Sequence, residues 1–407
     1  MLSRFIRLVF CLSLLLSHFN VLATDKLYVG IGIGPKVQAI HVPIYQDFEK
    51  ETGIKIIRVR IADMKDLDDR KNWQTKDGQP IDIINAHASR RLLAYYQRGD
   101  LKRLNELWQA NNLDKYFAHL SDTITFDSHK LLLPLTINGW HIYYLNSANF
   151  QQWHVPQTLE ELATTCKQLS AKNIIPFYIA AKTPWNIAAW FEYLTLRLHG
   201  LTFFQQLTNG EISYQSDKVR QVLLAWQQLI HANCFSEAYG EQSWKDVMHL
   251  FYRNEIAFVF GNNSIITSTS TTNKFDNLNF FNFPKGANIP RYESVPVQGF
   301  AVNKNSEKHH AIKRFLLFMS QAHVQNRLSS NTGRFAANRL SSVPPAPLIQ
   351  KLANALSTAA GHSQFIDRML PPDFEKHSRP LFVQFIRSGE IKPFAENMER
   401  LRRKYFK

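Results

Sequence analysis

Few residues in this chain have the types and spacing that covalent chemistry needs. Asp66, Asp68 and Asp69 could supply the paired carboxylates of a glycoside hydrolase, one on each side of the scissile bond. They stand in a Lys/Asp-rich stretch, residues 65–71, that reads as an exposed loop and not as the wall of a cleft. Gly30, Gly32 and Gly34 follow an apolar strand, where a glycine-rich turn could admit a pyrophosphate. Their spacing is not G-x-G-x-x-G, however, and Pro35 follows at once. His309 and His310 are adjacent, so on a helix their rings diverge and do not share a metal. The sequence holds no G-x-S-x-G elbow, P-loop, H-E-x-x-H or Cys-x-x-Cys. No catalytic residue, cofactor or metal site is expected.

The elements that would position any site alternate between strand and helix. Residues 26–33 read as a strand, 35–38 as a loop, and a helix runs on to residue 51, with Pro43 tolerable only near its first turn. Ile57, Val59 and Ile61 alternate with Arg58 and Arg60, which is strand periodicity. Residues 81–84 form a short apolar strand and 89–97 a helix. The rhythm recurs after residue 134. Thr158 and Glu161 have capping-box spacing before a helix whose apolar face is Leu159, Leu162, Cys166 and Leu169. Residues 174–181 read as a buried strand, and 186–199 as an apolar helix closed by Gly200. Val219, Val222, Leu223, Trp226 and Ile230 stripe another helix, with Trp226 in the core. Helix is expected at 244–253, strand at 255–261, a helix capped by Ser306 after that, and an all-helical tail over 345–407. Strand and helix in this order imply α/β architecture with crossover helices, in two interleaved lobes.

Composition sets the compartment and bounds the partners. Arg4 and Arg7 precede an apolar run, residues 8–16, and Val21-Leu22-Ala23 follows, as in a secretory signal peptide cleaved after Ala23. The run is shorter than the roughly 20 residues a membrane span needs. Cys11 raises lipid attachment, but the bulky Phe10 before it suits that processing poorly. Cys166 and Cys234 would survive cleavage, and the sequence leaves open whether they are bridged. The 407 residues carry a formal net charge of +15. Export and the absence of a DNA-reading pattern argue against nucleic acid. A solvated basic surface and a preference for an anionic solute both fit the charge.

A series of segments then occurs in a familiar order. The stretch Phe48-Glu49-Lys50-Glu51-Thr52-Gly53-Ile54-Lys55-Ile56 is followed by Pro80-Ile81-Asp82-Ile83-Ile84 and by Gly99-Asp100-Leu101-Lys102-Arg103-Leu104. Next come Leu133-Pro134-Leu135, Pro156-Gln157-Thr158-Leu159-Glu160-Glu161-Leu162, and Ile175-Pro176 continuing to Pro184-Trp185 and Phe191-Glu192-Tyr193-Leu194. Residues 251–261, Phe300-Ala301-Val302 and residues 325–337 complete the series. The set resembles bacterial ABC-transporter sugar-binding proteins, relatives of maltose-binding protein, over essentially the whole mature chain. Asn254 stands where that family usually has glycine, and Ala336 where proline is common.

The resemblance implies a type II periplasmic-binding fold: two α/β lobes joined by hinge strands, with ligand in the cleft between them. It places the signal peptide at 1–23, one lobe at 24–136 and 282–326, and the other at 137–281 and 327–407. It implies a monomeric receptor that closes about its hinge on a mono- or oligosaccharide and delivers it to an inner-membrane ABC permease. A sensor kinase or chemoreceptor as the partner, or an envelope polysaccharide-acting enzyme, are the alternatives. Sugars present apolar ring faces to aromatic side chains and hydroxyls to planar polar ones. Trp140, Trp185 and Trp244 stand at strand or helix starts, as stacking rings would. Asn85 and His87 end a strand at the carboxyl edge of the first sheet, where α/β ligands bind. Asn138, Asn262, Asn263 and Gln298 occupy analogous edges, and Lys36, Lys182 and Arg334 lie in the implied cleft loops. Two of those three cations on the ligand would favour an acidic sugar.

Overall fold

The computed structural model describes residues 25–32, 35–61, 63–146, 154–182, 185–236, 243–269, 277–330 and 332–406. The signal segment and its cleavage site lie outside the described residues. The strands that build the two lobes are, in chain order, β1 (Lys26–Ile31), β2 (Lys55–Arg60), β3 (Ile83–His87), β4 (Leu101–Lys102), β5 (Leu133–Ile137), β6 (Trp140–Leu145), β7 (Ile175–Phe177), β8 (Ile256–Asn262), β9 (Leu278–Phe281), β10 (Tyr292–Ser294), β11 (Val297–Asn303), β12 (Phe335–Ala336) and β13 (Gly361–Ser363).

The first sheet has the order β12-β5-β11-β3-β1-β2, with β4 beside β11. β1 pairs in parallel with both β2 and β3, and its Leu27, Val29 and Ile31 are buried. A strand covered on both faces carries a near-continuous apolar run, as β1 and β3 do. β2 lies at the edge and keeps Arg58 and Arg60 exposed. The second sheet has the order β9-β6-β8-β7. Its central strand β6, Trp-His-Ile-Tyr-Tyr-Leu, is buried along its whole length.

The chain passes between the sheets at three places. Asn138 and Gly139 join β5 directly to β6, the segment from β9 to β11 returns, and the tail leaves the first sheet after β12. The first two crossings run together: the Asn138 N–H donates to the Pro296 carbonyl at 3.1 Å. β11 and β5 shift register between Gln298 and Gly299. A Cβ at Gly299 would lie 2.1 Å from the Leu133 carbonyl oxygen, so this close strand approach requires glycine.

Two ties hold the second lobe. Cys166 and Cys234 form a disulfide, joining the helix Leu159–Ser170 to the turn after the helix Asp217–His231. Glu293 of β10 is fully buried, 2.7 Å from Arg197 and 2.7 Å from Arg291. Burial opposes its charge, yet the two guanidinium groups and His141 hold the carboxyl below its usual range. Trp226 is buried on its helix, among Phe382 and Phe385.

Several local expectations change. The first long helix, Pro35–Thr52, begins at Pro35, where the missing N–H costs nothing, and it tolerates Pro43 well inside. Residues 65–71 form two short 3₁₀ turns, Met64–Asp68 and Arg70–Trp73, and Asp68 pairs with Arg91. Thr158 does cap its helix, but Glu161 accepts the N–H of Gln157, one residue before the cap. The strand foreseen at 174–181 shortens to β7, while Gly200, at φ 79°, does end the helix before it, and a second helix continues to Thr208. Ser306 donates its hydroxyl to Asp82, while the helix His309–Ser320 starts later. The tail is not all helix, because β13 pairs with β10. The stretch after residue 327 first adds β12 to the first sheet. Asn254 adopts φ 59°, a left-handed conformation that asparagine tolerates better than most residues.

Candidate ligand-binding cleft

The site begins where β3 and β11 run side by side. Gln298 lies opposite His87, and Phe300 opposite Asn85. The Gln298 amide donates to Asn85 Oδ1 and accepts from the Arg334 guanidinium, while Asn85 Nδ2 approaches the Gly299 carbonyl at 3.4 Å. A fixed chain of planar polar groups results, Arg334 to Gln298 to Asn85. It lines a cavity of about 420 Å³ together with His41, Asp63, Met64, Thr136 and Ser264.

A second cavity of about 310 Å³ shares Asp63, Met64, His87 and Arg334 with the first. Its other wall comes from the crossing segment and the second lobe: Asn138, Trp140, Asn262, Phe365, Asp367 and Arg368. The two cavities therefore form one cleft between the lobes. Both lie in the size range of small-ligand sites, about 300–1,000 Å³.

The electrostatics follow from burial. His87 donates its backbone N–H to Met64 Sδ, and its ring Nδ1 is buried without a hydrogen-bond partner. Burial lowers its pKa well below the usual imidazole value, and Arg368 and Arg334 add to this. His41 is lowered to about 4, again chiefly by burial, with Arg334 adding, and its Nδ1 lies 3.1 Å from the Tyr45 hydroxyl. Both rings are neutral at pH 7. Burial pushes Asp367 up to about 6 and Arg368 down to about 10. Behind them, Glu192 accepts the Ile366 N–H at 2.8 Å and faces the Ser363 hydroxyl at 3.4 Å. This fastens the strap that carries Phe365 and Arg368 to the helix Trp185–Thr208.

The sequence-selected residues divide accordingly. Asn85, His87, Gln298 and Arg334 come together, and Asn138, Trp140 and Asn262 face them across the cleft. Trp140 is 2% exposed, with its ring stacked on Phe365 at 5.0 Å and 11°, so it builds the wall and offers little free face. Asn262 spends its Oδ1 on the Ser264 N–H at 2.9 Å, and buried Asn263 accepts from the Tyr143 hydroxyl. Trp244 opens the helix Trp244–Tyr252 and lines a separate gap of about 20 Å³ with Phe177 and Trp190. That volume holds a water at most. Lys182 is exposed and lines neither cavity. The side chains of Lys36 and Trp185 lie outside the described residues.

Sequence reasoning missed His41, Asp63, Met64, Phe365, Asp367 and Arg368. A signal for the last three existed: Gly361 and the polar residues after it interrupt helical periodicity before Pro371-Pro372. Among the described residues no group of His, Cys, Asp or Glu could hold a metal, and no helix is long and apolar enough to cross a membrane.

Two α/β lobes, three crossings and a polar cleft between the sheets define a two-lobed ligand-binding protein of the type II periplasmic kind. The chain belongs to the bacterial extracellular solute-binding protein family, whose model matches residues 44–355. Members of this family are secreted or periplasmic binding proteins. An ABC transporter extracellular-binding protein of Pyrococcus horikoshii is 19% identical over 278 residues, 67% of this chain and 62% of that protein. The match thus spans less than two thirds of that relative's length. Among solved structures, the bacterial solute receptor AcbH, described as exclusive for β-D-galactopyranose, superposes with a TM-score of 0.83 at 18% identity. The match covers 95% of this chain and 100% of that one. A chitin oligosaccharide binding protein gives 0.80 at 18% identity, over 94% and 99%.

Proposed function

We propose that this chain is an exported receptor that closes its two lobes on a carbohydrate and presents it to an ABC importer. The observation that carries the reading is the cleft itself, with the amides of Asn85 and Gln298 fixed on one side and Asn138, Asn262 and the packed pair Trp140 and Phe365 on the other. Planar amides bond to vicinal hydroxyls, as a polar guest of this size presents. Sugar recognition by the two structural neighbours described above, and the ABC assignment of the archaeal relative, point the same way.

In this reading the leader is removed after Ala23, and the mature protein is a monomer with no catalytic step. One lobe is built on the first sheet and the other on the second, and ligand binding lowers the free energy of the closed form. A ligand bound only by the folded state stabilises it by mass action, by about 2.7 kcal/mol at 100 times Kd. A thermal-shift screen of mono- and oligosaccharides should therefore raise Tm for at least one, and Gln298→Ala should abolish the shift. A screen without any response sinks the reading. Copurification with a permease, and not with a kinase ectodomain, is the expected partner result.

A further inference from the structure

We propose that the sugar is acidic, and that its oxyanion is clamped between the guanidinium groups of Arg334 and Arg368. This deepens the carbohydrate reading and rests on it. The two arginines come from opposite sides of the cleft. Arg334 precedes β12 of the first sheet, and Arg368 lies on the strap that Glu192 holds to the second lobe. Both line the same cavity, beside the buried ring of His87.

Their bonding leaves them unsatisfied. The other two arginines of that cavity are spoken for, Arg91 by Asp68 and Arg379 by Glu375. Among the described residues Arg334 and Arg368 make no such ion pair. Arg334 donates to the neutral oxygen of Gln298, and Arg368 reaches only Gln364 Oε1, at 3.4 Å. Each guanidinium has five N–H donors, so most remain for a ligand.

The charge balance points the same way. With those pairs set aside, Lys65, Arg334 and Arg368 face Asp63 and Asp367, three cations against two carboxylates. Asp63 already accepts the Lys65 N–H at 2.9 Å in its own turn. Asp367 is itself held back by burial. Burial lowers the guanidinium of Arg368, the neighbouring Asp367 offsets part of this, and Arg334 adds to it. A neutral hydroxyl could accept a hydrogen bond from either, but an anion would also balance the cation that Asp63 and Asp367 leave over. An oxyanion bridging the two would also draw the lobes together, and planar forks suit a carboxylate or a sulfate equally.

The test is titration calorimetry on the mature chain, with matched probes: galactose and galacturonate, glucose and glucuronate, their short oligomers, galactose 6-sulfate, and sodium sulfate. At least one acidic sugar should bind tenfold or more tightly than its neutral parent in low salt, and the advantage should shrink as NaCl rises. The carboxylate and sulfate arms separate the two sources of the anion. Arg334→Gln and Arg368→Gln should each cost the acidic sugar at least tenfold more than they cost its neutral parent, the Arg334 variant weakening both because it also frees Gln298. If a Gln variant does not fold, the salt dependence of the unmodified protein and the Lys variant decide. Neutral sugars binding as tightly as acidic ones overturn the clamp and leave the carbohydrate reading standing. Sulfate binding with no sugar response, or no response at all, overturns both.

Discussion

Glu192 offers the sharpest test of how the cleft is held. Its carboxyl is fully buried beneath the strap that carries Arg368, and burial raises its pKa from 4.5 to about 8. The unfolded chain loses this proton near the ordinary value, so between the two values the folded state binds more protons. The stability that the neutral acid supplies is full below about pH 4.5 and is lost as pH rises through about 8. One pH unit corresponds to at most about 1.4 kcal/mol, and with these two values the loss between pH 7 and 8 is about 1 kcal/mol. Other shifted groups act alike in both proteins and cancel in the comparison, His119 and His199 among them. His41 and His141, lowered to about 4, act below their ordinary value of 6.5 and with the opposite sign, as does His87. Asp367 acts up to about 6. Replacing Glu192 by Gln keeps a carbonyl for the Ile366 N–H and removes the titration. Differential scanning calorimetry should show the Tm of the unmodified protein falling by about 1 °C more between pH 7 and 8 than that of the E192Q variant. Parallel slopes for the two proteins would refute the reasoning.

Replacing both Cys166 and Cys234 by Ser frees a sequence separation of 68 residues, and loop entropy assigns this about 4 kcal/mol. Urea midpoints check the loss, and finding two free thiols in the denatured, unreduced protein would contradict the bridge. Glu293→Gln leaves Arg197 buried without its counter-charge and should cost about 3–5 kcal/mol. A double replacement, Arg197→Met with Glu293→Leu, should recover most of that, and an equally unstable double variant would refute the pairing argument. Gly299→Ala drives a Cβ into the Leu133 carbonyl and should cost about 1–3 kcal/mol while displacing Gln298. Unchanged melting and unchanged ligand affinity would show that the crossing strands have slack there.

Read alone, the chain determined its secondary elements wherever the pattern is local and strong. The stripe from Val219 to Trp226, the helix after Ser89 and the apolar runs of β1 and β3 all locate real features. That Asn85, His87, Gln298 and Arg334 line one cavity follows in part from local pattern: Asn85 and His87 end β3, where an α/β sheet opens, while Gln298 and Arg334 were named through the family resemblance. Tertiary packing decided the rest. A tryptophan that opens a strand has the same local pattern whether its ring meets solvent or, like Trp140, stacks on Phe365 more than 200 residues away. Lys182 and Arg334 look alike in a loop, yet one is exposed and the other is drawn into the cleft. For Arg368 the break in periodicity at Gly361 marks a strap, but nothing local says where the strap lies. It gains meaning only when Glu192 pins it opposite Arg334, a convergence set by how the lobes meet and not by any run of neighbouring residues.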